Sequence, residues 1–396
     1  KKIILTIAAL FILDFFSVYA ASCFVTVGKL FSTLFNTNYK LMMVLGALFV
    51  VLYTFIGGFL AESASDFMQG IVMFIALSLV LIVGVTKAGG ISEVFENAKQ
   101  IPGFLDFFGV AQPQVLDGIQ QVSEAGNPLF EAATKYGPLV IISTLSWGLG
   151  YFGMPHVLLK FMAIENPNDL KTSRRIAIIW CGVSLFAAVF IGIIGRVLYP
   201  NALLTKSSSE GIFVLMSSNF FLPLIAGIIM AGILAATISS SDSYLLIAAS
   251  AFSKNIYHGI IKKDASDKQV LYMSRVTLIL ISIIAMIIAM DENSVIFTVV
   301  SFAWAGFGAT FGPIILFSLF WKRVTRAGAI AGMLSGGVTV FVWNLLIRPL
   351  GGYFDIYELF PAFVISCLVI VIVSLCTLPP SQEIQEEFEQ VKNYKY

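Results

Sequence analysis

Apolar runs long enough to cross a bilayer recur about ten times in this chain, and no other property restricts its fold so strongly. They fall roughly at residues 3–28, 41–60, 66–87, 138–164, 174–198, 221–253, 270–290, 295–320, 327–346 and 359–378. In lipid every backbone N–H and C=O must be satisfied by the protein, and a helix of about 20 residues does this within one segment. The expected class is therefore an all-α integral membrane protein. Charged residues make up 12% of the chain, about half the share of a soluble domain. A net charge of +1 gives no electrostatic case for nucleic acid. Cys23, Cys181, Cys367 and Cys376 are scattered through apolar runs and lack metal spacing.

The basic residues orient the spans. Lys1 and Lys2 precede the first; Lys160, Lys171, Arg174 and Arg175 lie between the fourth and fifth; Lys254, Lys262, Lys263 and Lys268 lie between the sixth and seventh; Lys322, Arg323 and Arg326 lie between the eighth and ninth. With alternating spans all of these fall on one side, which the positive-inside rule makes cytoplasmic. The N-terminus and the acidic tail are then cytoplasmic, in the cell membrane. The polar segment 89–136 faces outward, with a short helix expected around Glu93–Gln100, and His258 falls in a cytoplasmic loop. The chain opens on two lysines with no Met, so its natural start is expected upstream.

Three spans carry residues that lipid does not favour. The run 220–253 has Ser239, Ser240, Ser241, Asp242 and Ser243 at its middle. A lone Asp there costs about 2.5–3.5 kcal/mol. Ala236, Ser239, Ser240 and Ser243 share a helical face that offers hydroxyl oxygens and little bulk. Two readings fit: part of a sodium site, since hard oxygens suit a small hard cation, or a helix contact with hydroxyls bonded back to the preceding turn. The first span carries Asp14, read either as functional or as packed on a polar neighbour. Asp66 reads first as an acid at the start of the third span, where free N–H groups and the helix dipole favour it.

The fourth span reads STLSWGLGYFGMPHVLLKFMA, with Gly148, Gly150, Gly153 and Pro155. Such a segment is expected to kink or unwind, which is tolerated at membrane depth only against protein or a cavity. Trp147, Tyr151 and Pro155 recur every four residues, as either an aromatic wall for a small solute or a glycine-lined helix crossing. Gly306, Gly308, Gly312 and Pro313 make the eighth span bent or closely packed. No Walker loop, zinc spacing or nucleophile elbow is present, so no enzyme is expected. No filter loop supports a channel.

The segments YTFIGGFLA with the following Ser-Asp, WGLGYFGMPH with KFMA, ILAATISSSDSYLL and SFAWAGFGATFGP, in this order, resemble the sodium:solute symporter family, nearest to its bacterial sodium/proline members. The resemblance implies a five-plus-five inverted repeat of the leucine-transporter type. Residues 1–88 would be the last three helices of the first repeat, whose leading spans would be absent, and 89–136 an extracellular loop. Residues 137–321 would be the second repeat, 322–380 two peripheral helices and 381–396 a cytoplasmic tail. It implies sodium ligands at Ala236, Ser239 and Ser240 with Asp66 nearby, and a solute pocket of Tyr19, Trp147, Tyr151 and Pro155. The implied activity is import of a small amino acid, L-proline foremost, coupled to Na+. A same-fold symporter for another amino acid, a carboxylate or a vitamin is the alternative, as is a membrane sensor. The partners implied are the solute and the bilayer, with no obligate protein partner. Ser240 stands where Thr is usual, Phe302 where Tyr is, Met154 where Gln is and Asp14 where an apolar residue is. These departures bear on the solute more than on sodium coupling.

Overall fold

The computed structural model describes residues 2–57, 59–105, 109–126 and 128–393. Lys1, and Gly58 of the Gly-Gly pair that ends the second run, lie outside them. Nine helical segments are long and apolar enough to cross a membrane among the described residues, and the shorter apolar stretch Pro138–Gly153 adds an interrupted tenth. The helices are α1 (Lys2–Phe35), α2 (Tyr39–Gly57), α3 (Phe59–Lys87), α4 (Ile91–Lys99), α5 (Pro138–Gly150), α6 (Pro155–Met162), α7 (Leu170–Leu198), α8 (Lys206–Ser209), α9 (Ile212–Phe220), α10 (Pro223–Ser250), α11 (Asp267–Ile288), α12 (Ile296–Phe320), α13 (Arg326–Val342), α14 (Leu359–Cys376) and α15 (Gln382–Asn393). The protein is an all-α membrane bundle.

Two helices run through its centre. In α12 every residue from Ala303 to Pro313 is buried, so the glycines and Pro313 serve close packing within a continuous helix. In α1, Phe15 and Phe16 are fully buried and set their rings against Phe307 of α12, with centroids 5.5 and 4.4 Å apart. Asp14, one residue earlier, is exposed on the outside of α1 with no hydrogen bond among the described residues, so it does not pack on a polar neighbour. Packed on this centre are α2, α10, α11, α13 and α14, and α3 packs on α10.

The boundaries differ from expectation in two informative places. α3 begins at Phe59, which puts Asp66 two turns inside the helix and leaves Glu62 as the first-turn acid. The dipole account of Asp66 therefore fails. α10 does not end at 253 but widens into a π-helical stretch, Ala251–Ile261, so His258 is helical rather than in a loop. The segment 89–136 contains the anticipated short helix, α4. It also holds two small antiparallel pairs: β1 (Gly109–Val110) with β4 (Thr134–Lys135), and β2 (Val115–Leu116) with β3 (Ile119–Gln120). Asp117 and Gly118 turn the second pair at φ 52° and 79°, as a two-residue hairpin requires. Arg196, at the end of α7, anchors this segment by donating to Gln120 Oε1 at 2.9 Å and lying 5.7 Å from the Phe130 ring.

The basic loops gather at one end of the bundle. Lys2 lies beside Lys263, and Lys322 in the α12–α13 turn pairs with Glu389 of α15 at 3.3 Å. At the other end Lys29 of α1 donates to Glu210 Oε2 at 2.9 Å and to the Ser294 carbonyl at 2.7 Å. Glu210 in turn accepts the N–H groups of Ile296 and Phe297 and so caps α12.

Candidate functional site

The interrupted helix is broken where the sequence places Gly and Pro together. α5 runs to Gly150, a 3-10 turn covers Tyr151–Gly153, and Met154 is extended at φ −77°, ψ 109°. Proline disfavours a helical residue before it, and Pro155 takes the first position of α6, where no N–H is needed. The break is pressed onto α12. A Cβ on Gly150 would sit 2.0 Å from Trp304 Nε1, and one on Gly153 would sit 2.3 Å from the Phe307 carbonyl oxygen. Trp304, 6% exposed, donates from Nε1 to the Trp147 carbonyl at 3.0 Å, in the last turn of α5. Sequence reasoning missed Trp304; its signal was the single indole within SFAWAGFG.

The four expected solute residues divide between two surroundings. Trp147 stacks on Phe297, Trp304 and Tyr357, with centroids 5.2, 5.4 and 6.0 Å away. Tyr151 meets Trp304 edge-on at 4.8 Å and is 53% exposed. Tyr19 is buried and stacks on Tyr244 of α10 at 4.2 Å, with His156 of α6 edge-on to it at 6.4 Å. Pro155 starts α6 beside that histidine and is half-buried. Met154 is fully buried.

On α10 the hydroxyls behave in two ways. Ser239 Oγ donates to the Ala236 carbonyl at 3.2 Å and Ser241 Oγ to the Thr237 carbonyl at 2.7 Å, so both bond back to the preceding turn. Ser243 reaches across to α3 and bonds the Glu62 carboxylate. Glu62 is 4% exposed and Asp242 1%. Asp242 Oδ1 accepts the Ser243 N–H at 2.8 Å. Asp66 pairs with Lys160 of α6. Asp66 and Glu62 are both electrostatic neighbours of Asp242. Three buried oxygens here, Asp242 Oδ2, Asp66 Oδ1 and Gln69 Oε1, have no hydrogen-bond partner among the described residues. Such atoms carry the full desolvation cost of an unmade bond. Ser239 and Ser240 are half-buried. Ala236 faces a mostly apolar cavity of 310 Å³ bordered by Met73, Ala76, Ile191 and Phe213. Carbonyl, hydroxyl and carboxylate oxygens form a donor set fit for a hard monovalent cation. Glu62 was overlooked in the sequence because its spacing of four from Asp66, which puts both on one face of α3, went unused.

The comparisons with known proteins bear on these features together. The model of the sodium:solute symporter family matches residues 1–336. The chain is 38% identical over 376 residues to the osmoregulated proline transporter OpuE of Bacillus subtilis (strain 168), covering 95% of this chain and 71% of that protein. It is 37% identical over 400 residues to a sodium/proline symporter of Haemophilus influenzae, covering 100% of this chain and 75% of that one. It is 36% identical over 399 residues to the sodium/proline symporter of Staphylococcus aureus, covering 99% and 73%. A solved Na+-coupled sialic acid symporter, in a substrate-bound outward-open state, superposes with a TM-score of 0.71 at 19% identity, over 95% of this chain and 75% of that one. That likeness establishes a shared fold. With a family match over most of the chain and relatives above one-third identity along nearly all of it, this protein belongs to the sodium:solute symporter family.

Proposed function

We propose that this protein is a sodium-coupled symporter that imports a small amino acid, L-proline foremost. The observation that carries the reading is the 36–38% identity, along nearly the whole chain, to proteins named as proline transporters. Na+ is the co-transported ion, held by the Ala236 carbonyl and the Ser239 and Ser240 hydroxyls. Asp66 and its acidic neighbours set the local charge. Tyr19, Trp147, Tyr151 and Pro155 supply the solute contacts, and the broken helix offers its half-helix ends to the solute's charged groups. Coupling requires that ion and solute favour the same state of the bundle. The chemistry is transport, with no bond made or broken. The five-plus-five repeat, with residues 137–321 as one half, is the frame for that motion. The protein is placed in the cell membrane with the 381–396 tail in the cytoplasm, because the basic loops cluster at that end. Solute and lipid are its partners.

The test is uptake of labelled L-proline into proteoliposomes with and without a sodium gradient. Ser239→Ala and Ser240→Ala are each expected to raise the half-saturating sodium concentration about tenfold, equivalent to about 1.4 kcal/mol. Uptake that ignores the gradient sinks the symporter reading. An unchanged sodium requirement in both variants sinks the site.

A further inference from the structure

A cavity of 410 Å³ lies between the end of α7, the short helix α8 and the segment 89–136. α7 starts among Lys171, Arg174 and Arg175 and ends at Leu198, so the cavity is at the end of the bundle away from the basic loops. Its volume suits a small ligand. Arg196 and Lys206 are the charged groups of its wall, and no carboxylate lines it among the described residues. Arg196 is half-buried, yet both of its hydrogen-bond acceptors are neutral: Gln120 Oε1 at 2.9 Å and the Pro200 carbonyl. A guanidinium has more N–H groups than these acceptors use. Lys206 makes no ion pair among the described residues. The turn before it holds Leu203 at φ 56°, a left-handed conformation that costs a residue with a side chain about 1–2 kcal/mol. Like charges thus border one space, and no acid of the described wall offsets them. Part of that wall is apolar, with Phe104, Leu204 and Ile212.

We propose that this cavity binds a phosphate ester with a glycerol or apolar body. The guanidinium of Arg196 fits phosphate oxygens, and Lys206 adds a point charge. Phe104, Leu204 and Ile212 meet the body of the ligand. A headgroup with its own ammonium would bring a further cation to a wall without a carboxylate, so the site selects a net negative charge. Two sources share this chemistry: a soluble phosphate ester, and an anionic phospholipid whose phosphate lies where the apolar span of α7 ends. The ligand would touch α7 and α8 at once and so steady α8, whose Ser207 accepts from Lys29 of α1 at 2.9 Å.

The experiment applies probes for both sources to the purified full-length protein. Glycerol 3-phosphate is titrated by thermal shift at fixed ionic strength, with chloride as the control anion. Phosphatidylglycerol and phosphatidylcholine in equal amounts are compared by native mass spectrometry for lipid retained. Arg196 stays in place, because it also holds Gln120 and lies over Phe130. Lys206→Gln removes a charge that has no ion pair among the described residues. Gly192→Leu adds a side chain to the cavity wall, at a position where a Cβ meets no atom within 4 Å, and removes no charge. Both variants are expected to melt like wild type without probe, and each to weaken probe binding about tenfold. A saturable stabilisation by glycerol 3-phosphate that both variants weaken supports the site with a soluble source. Retention of phosphatidylglycerol over phosphatidylcholine that both variants weaken supports it with a lipid source. The proposal is overturned if neither probe binds wild type, or if either variant leaves binding unchanged. It is also overturned if both lipids are retained alike and glycerol 3-phosphate has no effect.

Discussion

The contact of the interrupted helix with α12 and the contact of α3 with α10 both lie deep in the bundle, and they are built in opposite ways. The first sets the backbone of the break against the backbone of α12 and the buried indole of Trp304. Gly150 and Gly153 have no room for a Cβ, and the Trp147 carbonyl near the break has its donor in Trp304. The second is side chain against side chain. It gathers Glu62, Asp66, Asp242 and Ser243, and it leaves three buried oxygens without partners among the described residues. Close packing gives one arrangement and resists others. A partly satisfied polar network has several arrangements of similar energy, and a cation decides among them. The seam therefore reads as the rigid part of the proposed transport cycle, and the acid–hydroxyl contact belongs to the proposed ion-responsive part.

Gly153→Val tests the rigidity claim with the largest expected effect. Its added carbons would meet the Phe307 carbonyl oxygen and the Gly312 nitrogen, at 2.3 and 2.8 Å from the Cβ alone. Backbone atoms cannot swing aside as a flexible side chain can, so the cost should reach the top of the about 1–3 kcal/mol typical of overpacking. A large drop in melting temperature, or loss of monodisperse protein, is the expected outcome. Wild-type melting would mean that the seam opens freely, and the contrast with the polar cluster would disappear.

What was legible in the sequence follows the same division. The break in the fourth span could be read because Gly150, Gly153 and Pro155 act locally, through φ/ψ and the missing N–H of proline. The side of Trp147 that its ring would present could not, because a 3-10 turn at Tyr151–Gly153 ends the fourfold spacing on which the shared face depended. Trp147 and Tyr151 converge on Trp304 instead, a partner 157 residues from Trp147 along the chain. The polar residues of α10 stood out against lipid, yet the identity of the acid that Ser243 reaches was hidden. It depended on where α3 starts, and Phe59 is two turns earlier than hydropathy alone places it. Tyr244 was passed over for a related reason: an aromatic residue in an apolar run carries no mark until its stacking partner, here Tyr19, is known.

Trp304→Phe sharpens the comparison at intermediate cost. It keeps an aromatic ring against Trp147 and Tyr151 but removes the Nε1 donor, leaving the Trp147 carbonyl without it. That carbonyl keeps its helical bond within α5, so the loss of this one hydrogen bond costs about 0.5–1.5 kcal/mol. Melting temperature should fall measurably, and the proposed proline affinity should weaken severalfold, since a smaller ring faces Tyr151 and the hold on the Trp147 carbonyl is gone. Reduced stability with unaltered affinity would limit Trp304 to a scaffold role.

Lys160→Met probes the polar side and should give the smallest effect. The Lys160 side chain is 48% exposed and Asp66 15%, so water screens much of the attraction, and pairs of this kind contribute about 0–1 kcal/mol. Removing the ammonium leaves Asp66 beside Glu62 and Asp242 with one cation fewer. The expected result is a small loss of stability in sodium-free buffer and a larger stabilisation by added sodium than in wild type, read by melting at fixed ionic strength with choline as the control cation. Asp66→Asn added to Lys160→Met should remove both changes. A loss as large as that of Gly153→Val would mean that the acidic cluster is locked as tightly as the glycine seam, and the assignment of ion response to α3 and α10 would fail.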